Sequence, residues 1–311
     1  MLGTGKSEQR GPNLFSALFV LLALLLLMFG AFLYGRGRAN RGLSISIEEQ
    51  RKKSELVSSM LKNLYASAEA EKSSVMAETD EASVAFAEES RRMSSALEED
   101  RRELDRLIQA GNRSKERTPM AEFGRAWESY LTLNREILGL AVENTNLKAQ
   151  RLSFAPAREA LVRMETAFNK LVEKTSSTSE AASVTKVTSE ALIAALKIHA
   201  FQAQHIAEAR DEEMDRIEAE MKALDLPVTA CFSTLSTLSD EALQAAARQA
   251  QAAYTDFQKI NLEILSLSRR NTNVRSFALS LGKQRNATAA CRDLLETLRD
   301  SVQDEGPTPT R

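Results

Sequence analysis

NREILGLAVENTNLKAQRLS (134–153) and NLEILSLSRRNTNVRSFALS (261–280) are one stretch written twice, 127 positions apart. Extended to 127–171 and 254–298, the two copies share 13 identities in 45 aligned positions. The matches include Asn134/Asn261, Ile137/Ile264, the Asn-Thr-Asn triplets at 144–146 and 271–273, and Arg158/Arg285; aromatics face aromatics at Trp127/Tyr254 and Tyr130/Phe257. A repeat of this kind sets the architecture before any local reading does. It predicts one helical unit used twice.

The apolar positions inside the repeat recur in steps of three and four. Phe123, Trp127, Tyr130, Asn134, Ile137 or Leu138 and Ala141 form one stripe, the pattern of a helix packed on other helices. Asparagine tolerates the left-handed backbone region, so Asn-Thr-Asn reads as a break between a third and a fourth helix. The fourth helix carries Leu147, Leu152, Ala160, Met164, Phe168 and Leu171, with Pro156 kinking it or marking its true start. Upstream, 44–110 contains no proline or glycine. Thr79-Asp80-Glu81 is a good helix cap, so the favoured reading is one helix ending near Glu78 and another starting near Asp80, with a single uninterrupted rod as the alternative. The second unit repeats this order, with Asp211 matching Asp80 at a shift of 131, Pro227 ending its second helix and Ser239-Asp240 capping its third. Short connections favour antiparallel neighbours, hence two up-down-up-down bundles.

Composition agrees. Twelve glycines, six prolines and 5% aromatics in 311 residues suit long helices rather than sheets. A formal charge of −2 leaves no basic field for nucleic acid. Two cysteines and two histidines, the latter six apart at 199 and 205, cannot build a zinc site at these spacings, and no cofactor motif is present. No nucleophile–base pair, phosphate loop or carboxylate pair in a cleft can be named, which argues against an enzyme.

Leu14 to Tyr34 is 21 residues without a charge, the length of a membrane-crossing helix and longer than a signal-peptide core. The expected organisation is therefore all-α: a tail (1–13), a transmembrane helix (14–34), a first four-helix bundle (44–177), a second (178–304) and a flexible tail (305–311). Arg36, Arg38, Arg41, Arg51, Lys52 and Lys53 follow the span, against Lys6 and Arg10 before it. Taken alone, that count places the bulk of the chain in the cytoplasm.

Each unit resembles the four-helix-bundle sensor domain of methyl-accepting chemotaxis receptors. The resemblance rests on the aromatic third helices (WESYLTLNREILGL, YTDFQKINLEILSL), the polar turn, the Ala/Leu-rich fourth helices, and the Thr-Asp-Glu and Arg-Asp-Glu-Glu hairpins. It covers about 44–304 and the helix before it. It implies a sensor on the periplasmic side of an inner membrane, against the charge count. It also implies a small-molecule ligand, or a membrane receptor or homodimer partner, and two units packed side by side as family receptors pack two chains. No second apolar run follows Val302 and no HAMP linker or signalling coiled coil is visible, so the expectation is a receptor-like chain without a signalling domain. A rival reading is a membrane-anchored scaffold whose bundles bind partner helices.

Four residues are candidates for ligand contact. Asn134 and Asn261 sit on the apolar stripes, where a polar residue also serves to fix register. Arg158 and Arg285 match between units; an arginine fork suits a carboxylate, and an exposed or salt-bridged arginine is the plainer reading. Cys231 and Cys291 fall at similar heights from their hairpins, which leaves a disulfide or two buried thiols open.

Overall fold

A computed structural model describes residues 14–111 and 115–303; the tails expected at 1–13 and 305–311 lie outside it. All regular structure among the described residues is helical. Helix α1 (Leu14–Val75) runs for 62 residues, about 90 Å at 1.5 Å per residue. A four-residue turn leads to α2 (Asp80–Ala110), whose first turn is closed by Thr79: its hydroxyl accepts from the Ala82 N–H at 3.1 Å. The break near 78–80 is thus present, and 44–110 is not one rod. Helices α3 (Arg117–Glu143), α4 (Thr145–Leu152) and α5 (Arg158–Thr175) follow. Then come α6 (Ala181–Ala207), α7 (Asp211–Leu235), α8 (Glu241–Arg270), α9 (Thr272–Leu279) and α10 (Arg285–Gln303). Asp240 caps α8 as its position predicts, accepting from the Leu243 N–H at 2.9 Å. Pro227, in contrast, does not end its helix; α7 continues past it to Leu235.

The expected span falls partly outside the described residues, since the side chains of 14–20 and 23 are not among them. Among the described residues no helix is long and apolar enough to cross a membrane.

The largest departure from expectation is at the Asn-Thr-Asn triplets. Asn144 and Asn271 are the two described non-glycine residues with positive φ, 50° and 53°. Each is the sole residue between two helices. Reversing a helix so that it packs on its predecessor takes a loop of about 2–5 residues. One left-handed residue bends the chain without reversing it. Accordingly α4 does not fold back on α3, nor α9 on α8; α3 packs on α9 and α10, while α4 and α5 pack on α8.

The fourth helices are therefore exchanged. Bundle one is α1, α2 and α3 with α9–α10, and its core joins Val57, Leu97, Trp127, Cys291 and Leu298. Bundle two is α4–α5 with α6, α7 and α8, and its core joins Met164, Phe168, Ala191, Ile217 and Phe257. The contiguous units 44–177 and 178–304 are thus repeats of sequence but not the units of packing. Nor do the bundles lie side by side: α1, α2 and α10 pack within bundle one and α5, α6 and α7 within bundle two, joined by the two stretches of chain, α3–α4 and α8–α9, that pass between them.

That passage is a waist with near-twofold reciprocity. The Thr145 N–H donates to the Thr272 hydroxyl and the Thr272 N–H to the Thr145 hydroxyl, both at 3.1 Å. The Asn146 and Asn273 amides donate to each other's side-chain oxygens at 3.1 and 3.2 Å. Arg270 pairs with Glu143 across the same crossing. Orphan helix-terminal N–H groups of one rod are thus satisfied by the other. Both hairpins dock here too, through Asn144 Nδ2 to Asp80 at 3.0 Å and Asn271 Nδ2 to the Glu208 carbonyl at 2.8 Å.

Candidate ligand site

In each rod the helix widens into a π turn soon after the waist, at Ser153–Ala157 and at Ser280–Gln284. One copy contains Pro156 and the other has Lys283 in its place, so proline is not the cause of the shared distortion. The helix accommodates Pro156 there and continues. Wide turns of this kind recur at functional sites because they re-aim the residues that follow. The turns end on Ala157 in bundle two and Gln284 in bundle one, and the residues that follow are Arg158 and Arg285.

In bundle one the π turn faces α1. Glu71 is fully buried there and Gln284 is 1% exposed. Neither oxygen of Glu71 and neither polar atom of the Gln284 amide has a hydrogen-bond partner. Burial pushes the Glu71 carboxyl up to about 6, while nearby Ser280 and Lys72 hold it lower than burial alone would. Ser280 approaches the Glu71 carboxylate and Gln284 approaches the Tyr130 hydroxyl, each near enough to lower the acid's pKa but outside hydrogen-bond geometry.

The rest of this layer is closed. Ser67 bonds the Tyr130 hydroxyl at 2.9 Å and Ser94 at 2.8 Å, and Ser90 bonds Asn134 at 3.3 Å. Burial and the neighbouring Glu71 raise the Tyr130 phenol, which stays protonated. Against Glu71 and Gln284 lies a cavity of about 590 Å³, whose wall also includes Lys72, Arg285 and Arg292. Arg292 is paired with Asp293 at 2.6 Å, whereas Arg285 has no ion pair among the described residues.

Bundle two holds a second cavity of about 590 Å³ between α7 and α8. Its carboxylates are already engaged. Asp225 accepts from the Tyr254 hydroxyl and from Gln258, and Glu218 is held by Arg269 and His205. Arg269 keeps the Glu218 carboxyl below its ordinary range.

The residues expected from sequence are thus dispersed. Arg285 lines the first cavity and Asn261 the second. Asn134 is buried against Ser90, and Arg158 is exposed on α5. Of the two readings left open for Cys231 and Cys291, the structure shows two buried free thiols: helix exchange puts them in different cores. Burial pushes both thiols up to about 12, so neither is a reactive thiolate. His199 contacts the Ser153 carbonyl and His205 bonds Ser268 and Glu218; no metal-holding group occurs among the described residues. Sequence reading missed Glu71 and Gln284. The available signal was Glu71 on an apolar face of α1, between Ser67 and Ser74 at steps of four and three.

Residues 14–189 match the family described as a four-helix-bundle sensory module for signal transduction. The chain belongs to this family. The family is a sensory signalling module rather than a class of enzyme. Within the sensory module's matched stretch, α1 to α3 build bundle one, while the fourth-helix segment α4–α5 lies in bundle two. Among solved structures, the chain is similar to the TorS sensor domain in its complex with TorT in the presence of TMAO. The identity is 16% over 83% of this chain and 99% of that one, with a TM-score of 0.35. No curated protein matches the chain.

Proposed function

We propose that this chain is a membrane-anchored, receptor-like sensor that binds a small ligand in the cavity between α1 and α10 of bundle one. The observation that carries this reading is the pair Glu71 and Gln284, buried and without partners beside a cavity open to Arg285. Buried polar groups are ordinarily satisfied, and exceptions call for an explanation such as a ligand. Bundle two, whose equivalent layer is closed, serves as the frame against which α10 and α3 are held.

The anchor is Leu14–Tyr34. Its support is the uncharged run itself, the start of the family match at residue 14, and the exposure of Leu21 through Tyr34 at 52–71% for the large side chains. Following the family resemblance rather than the charge count, the bundles lie on the periplasmic side. C-terminal reporter fusions, one active only in the periplasm and one only in the cytoplasm, test this; activity of the cytoplasmic reporter alone overturns it.

Ligand binding is tested by melting the full chain against a broad metabolite collection. A ligand at 100 times its dissociation constant stabilises by about 2.7 kcal/mol. A hit whose effect is lost in Arg285→Gln supports the site. Absence of any hit, with recovery of a membrane protein in pull-downs, favours the scaffold reading instead.

A further inference from the structure

The cavity between α7 and α8 of bundle two has no need of the bundle-one site, and its own wall states a chemistry. In bundle one the buried face of α2 is built from small residues, Ala87, Ser90 and Ser94, and the two serines close on Asn134 and Ser67. At a shift of 131 positions the same face of α7 carries Glu218, Met221 and Asp225. These longer side chains stand where bundle one has a methyl or a hydroxyl. Helix α7 packs chiefly on α6 and only lightly on α8, and the groove of about 590 Å³ opens between α7 and α8.

The floor of the groove is apolar. Ile198, Met221, Phe257 and Leu265 line it, and Leu262 stands 67% exposed at its edge. The charges above that floor are compensated unevenly. Asp215 and Glu218 are both held by the Arg269 guanidinium. Asp225 is hydrogen-bonded but not neutralised. Its Oδ1 accepts from the Tyr254 hydroxyl and the Gln258 amide, both neutral. Its Oδ2 meets only the Thr229 hydroxyl at 3.4 Å, and that hydroxyl also bonds the Asp225 carbonyl at 3.0 Å. Among the described residues no cation pairs with Asp225. A carboxylate oxygen has two lone pairs, so Oδ2 has room for a charged donor.

Other classes of occupant fit less well. A divalent metal would need several free oxygen ligands, and Arg269 already occupies two of the three carboxylates. An anion would face Asp225 with only the exposed Lys222 of the lining in its favour. A neutral apolar molecule would cover the floor and strip water from a carboxylate held by neutral groups alone, which is costly. An organic cation covers the floor and pairs the charge.

We propose that the groove between α7 and α8 is a second ligand site, for a small primary amine with an apolar body. The ammonium sits on Asp225 Oδ2 and the body lies over Met221, Leu262 and Leu265.

The test is calorimetric titration of the full chain in detergent micelles with phenethylamine at millimolar concentration. Its controls are 2-phenylethanol and 3-phenylpropionate, a neutral and an anionic molecule of similar shape. Phenethylamine should bind saturably, and the alcohol roughly tenfold or more weakly, the loss expected of a charge-assisted hydrogen bond. Asp225→Asn should weaken amine binding by a similar factor. It keeps an acceptor for Tyr254 and Gln258, so the fold should hold, which circular dichroism checks. Lys222→Ala, at an exposed position, should tighten amine binding by roughly twofold to fivefold, the scale of an exposed charge pair. Preferred binding of 3-phenylpropionate, weakened in Lys222→Ala, overturns the cation in favour of an anion. Equal binding of the alcohol, amine binding unchanged in Asp225→Asn, or no amine binding at all overturns the proposal.

Discussion

Bundle one and bundle two are built from the same repeat, yet they treat the same buried layer in opposite ways. At the α1/α6 position, Glu71 stands against Gln202; at the π turn, Gln284 stands against Ala157; at the third helix, Asn134 stands against Asn261. In bundle two these side chains close on one another through Ser153, Gln202 and Asn261. In bundle one Asn134 turns to Ser90 on α2, and the carboxylate is left alone beside a cavity. The helical scaffold tolerates both because its apolar seams carry the stability. The apolar seam is common to the two copies and the polar layer is not.

The comparison is broken most severely by removing the aromatic that bundle one stacks. Trp127 lies between Phe123 and Tyr130, with ring centroids at 6.2 and 4.8 Å, and is 1% exposed. Trp127→Ala should cost about 3–5 kcal/mol. Because the rods α3–α5 and α8–α10 run through both bundles, helicity should be lost in one transition at a lower temperature. Two calorimetric transitions, with only one displaced, would show that the bundles are independent.

Next is the waist. Thr145→Val with Thr272→Val removes both hydroxyl acceptors and leaves two buried N–H groups unpaired, at about 1–3 kcal/mol each. Each single variant should do about half as much, and denaturant melts would show whether the pair is reciprocal.

The layer itself predicts pH effects of opposite sign in the two bundles. Glu71 has a folded pKa of about 6, above its ordinary 4.5. The folded state therefore holds a proton that the unfolded state has lost between those values. Its stability falls as pH rises from 4.5 to 6 and is flat above, a loss of about 2 kcal/mol at roughly 1.4 kcal/mol per pK unit. Glu71→Gln should remove that slope and raise the melting temperature at pH 7. Gln202→Glu should install a similar slope in bundle two.

His205 stands where bundle one has Ser74, and burial lowers its pKa despite Glu218. The unfolded state then binds the proton first, so stability is full above 6.5 and declines as pH falls below it. His205→Gln should flatten that acid limb in urea melts. A chain with both Glu71 and His205 replaced should lose both slopes.

The smallest effect belongs to the surface link between α5 and α8. Arg163 and Asp256 meet at 3.0 Å with both side chains about half exposed. Arg163→Ala should change stability by about 0–1 kcal/mol, less at high salt. A larger change would mean that α5 is held on α8 by more than its apolar seam.

The sequence by itself determined the local vocabulary. Stripes at Phe123, Trp127 and Tyr130 fixed which faces are buried; Thr79 and Asp240 fixed where helices begin; the two asparagines fixed the left-handed breaks. These depend on a side chain and its neighbours within a turn or two, so one chain suffices to read them. The tertiary structure decided what each bundle contains. The repeats are alike, so a fourth helix fits either seam, and composition cannot tell its own bundle from the other's. The choice falls to the connection: one left-handed residue is too short to reverse a helix, and the rods pass on into the neighbouring bundle. That passage separated Cys231 from Cys291. It also brought Gln284 and Arg285 to Glu71, more than two hundred residues away in the chain, where no local pattern could have placed them together.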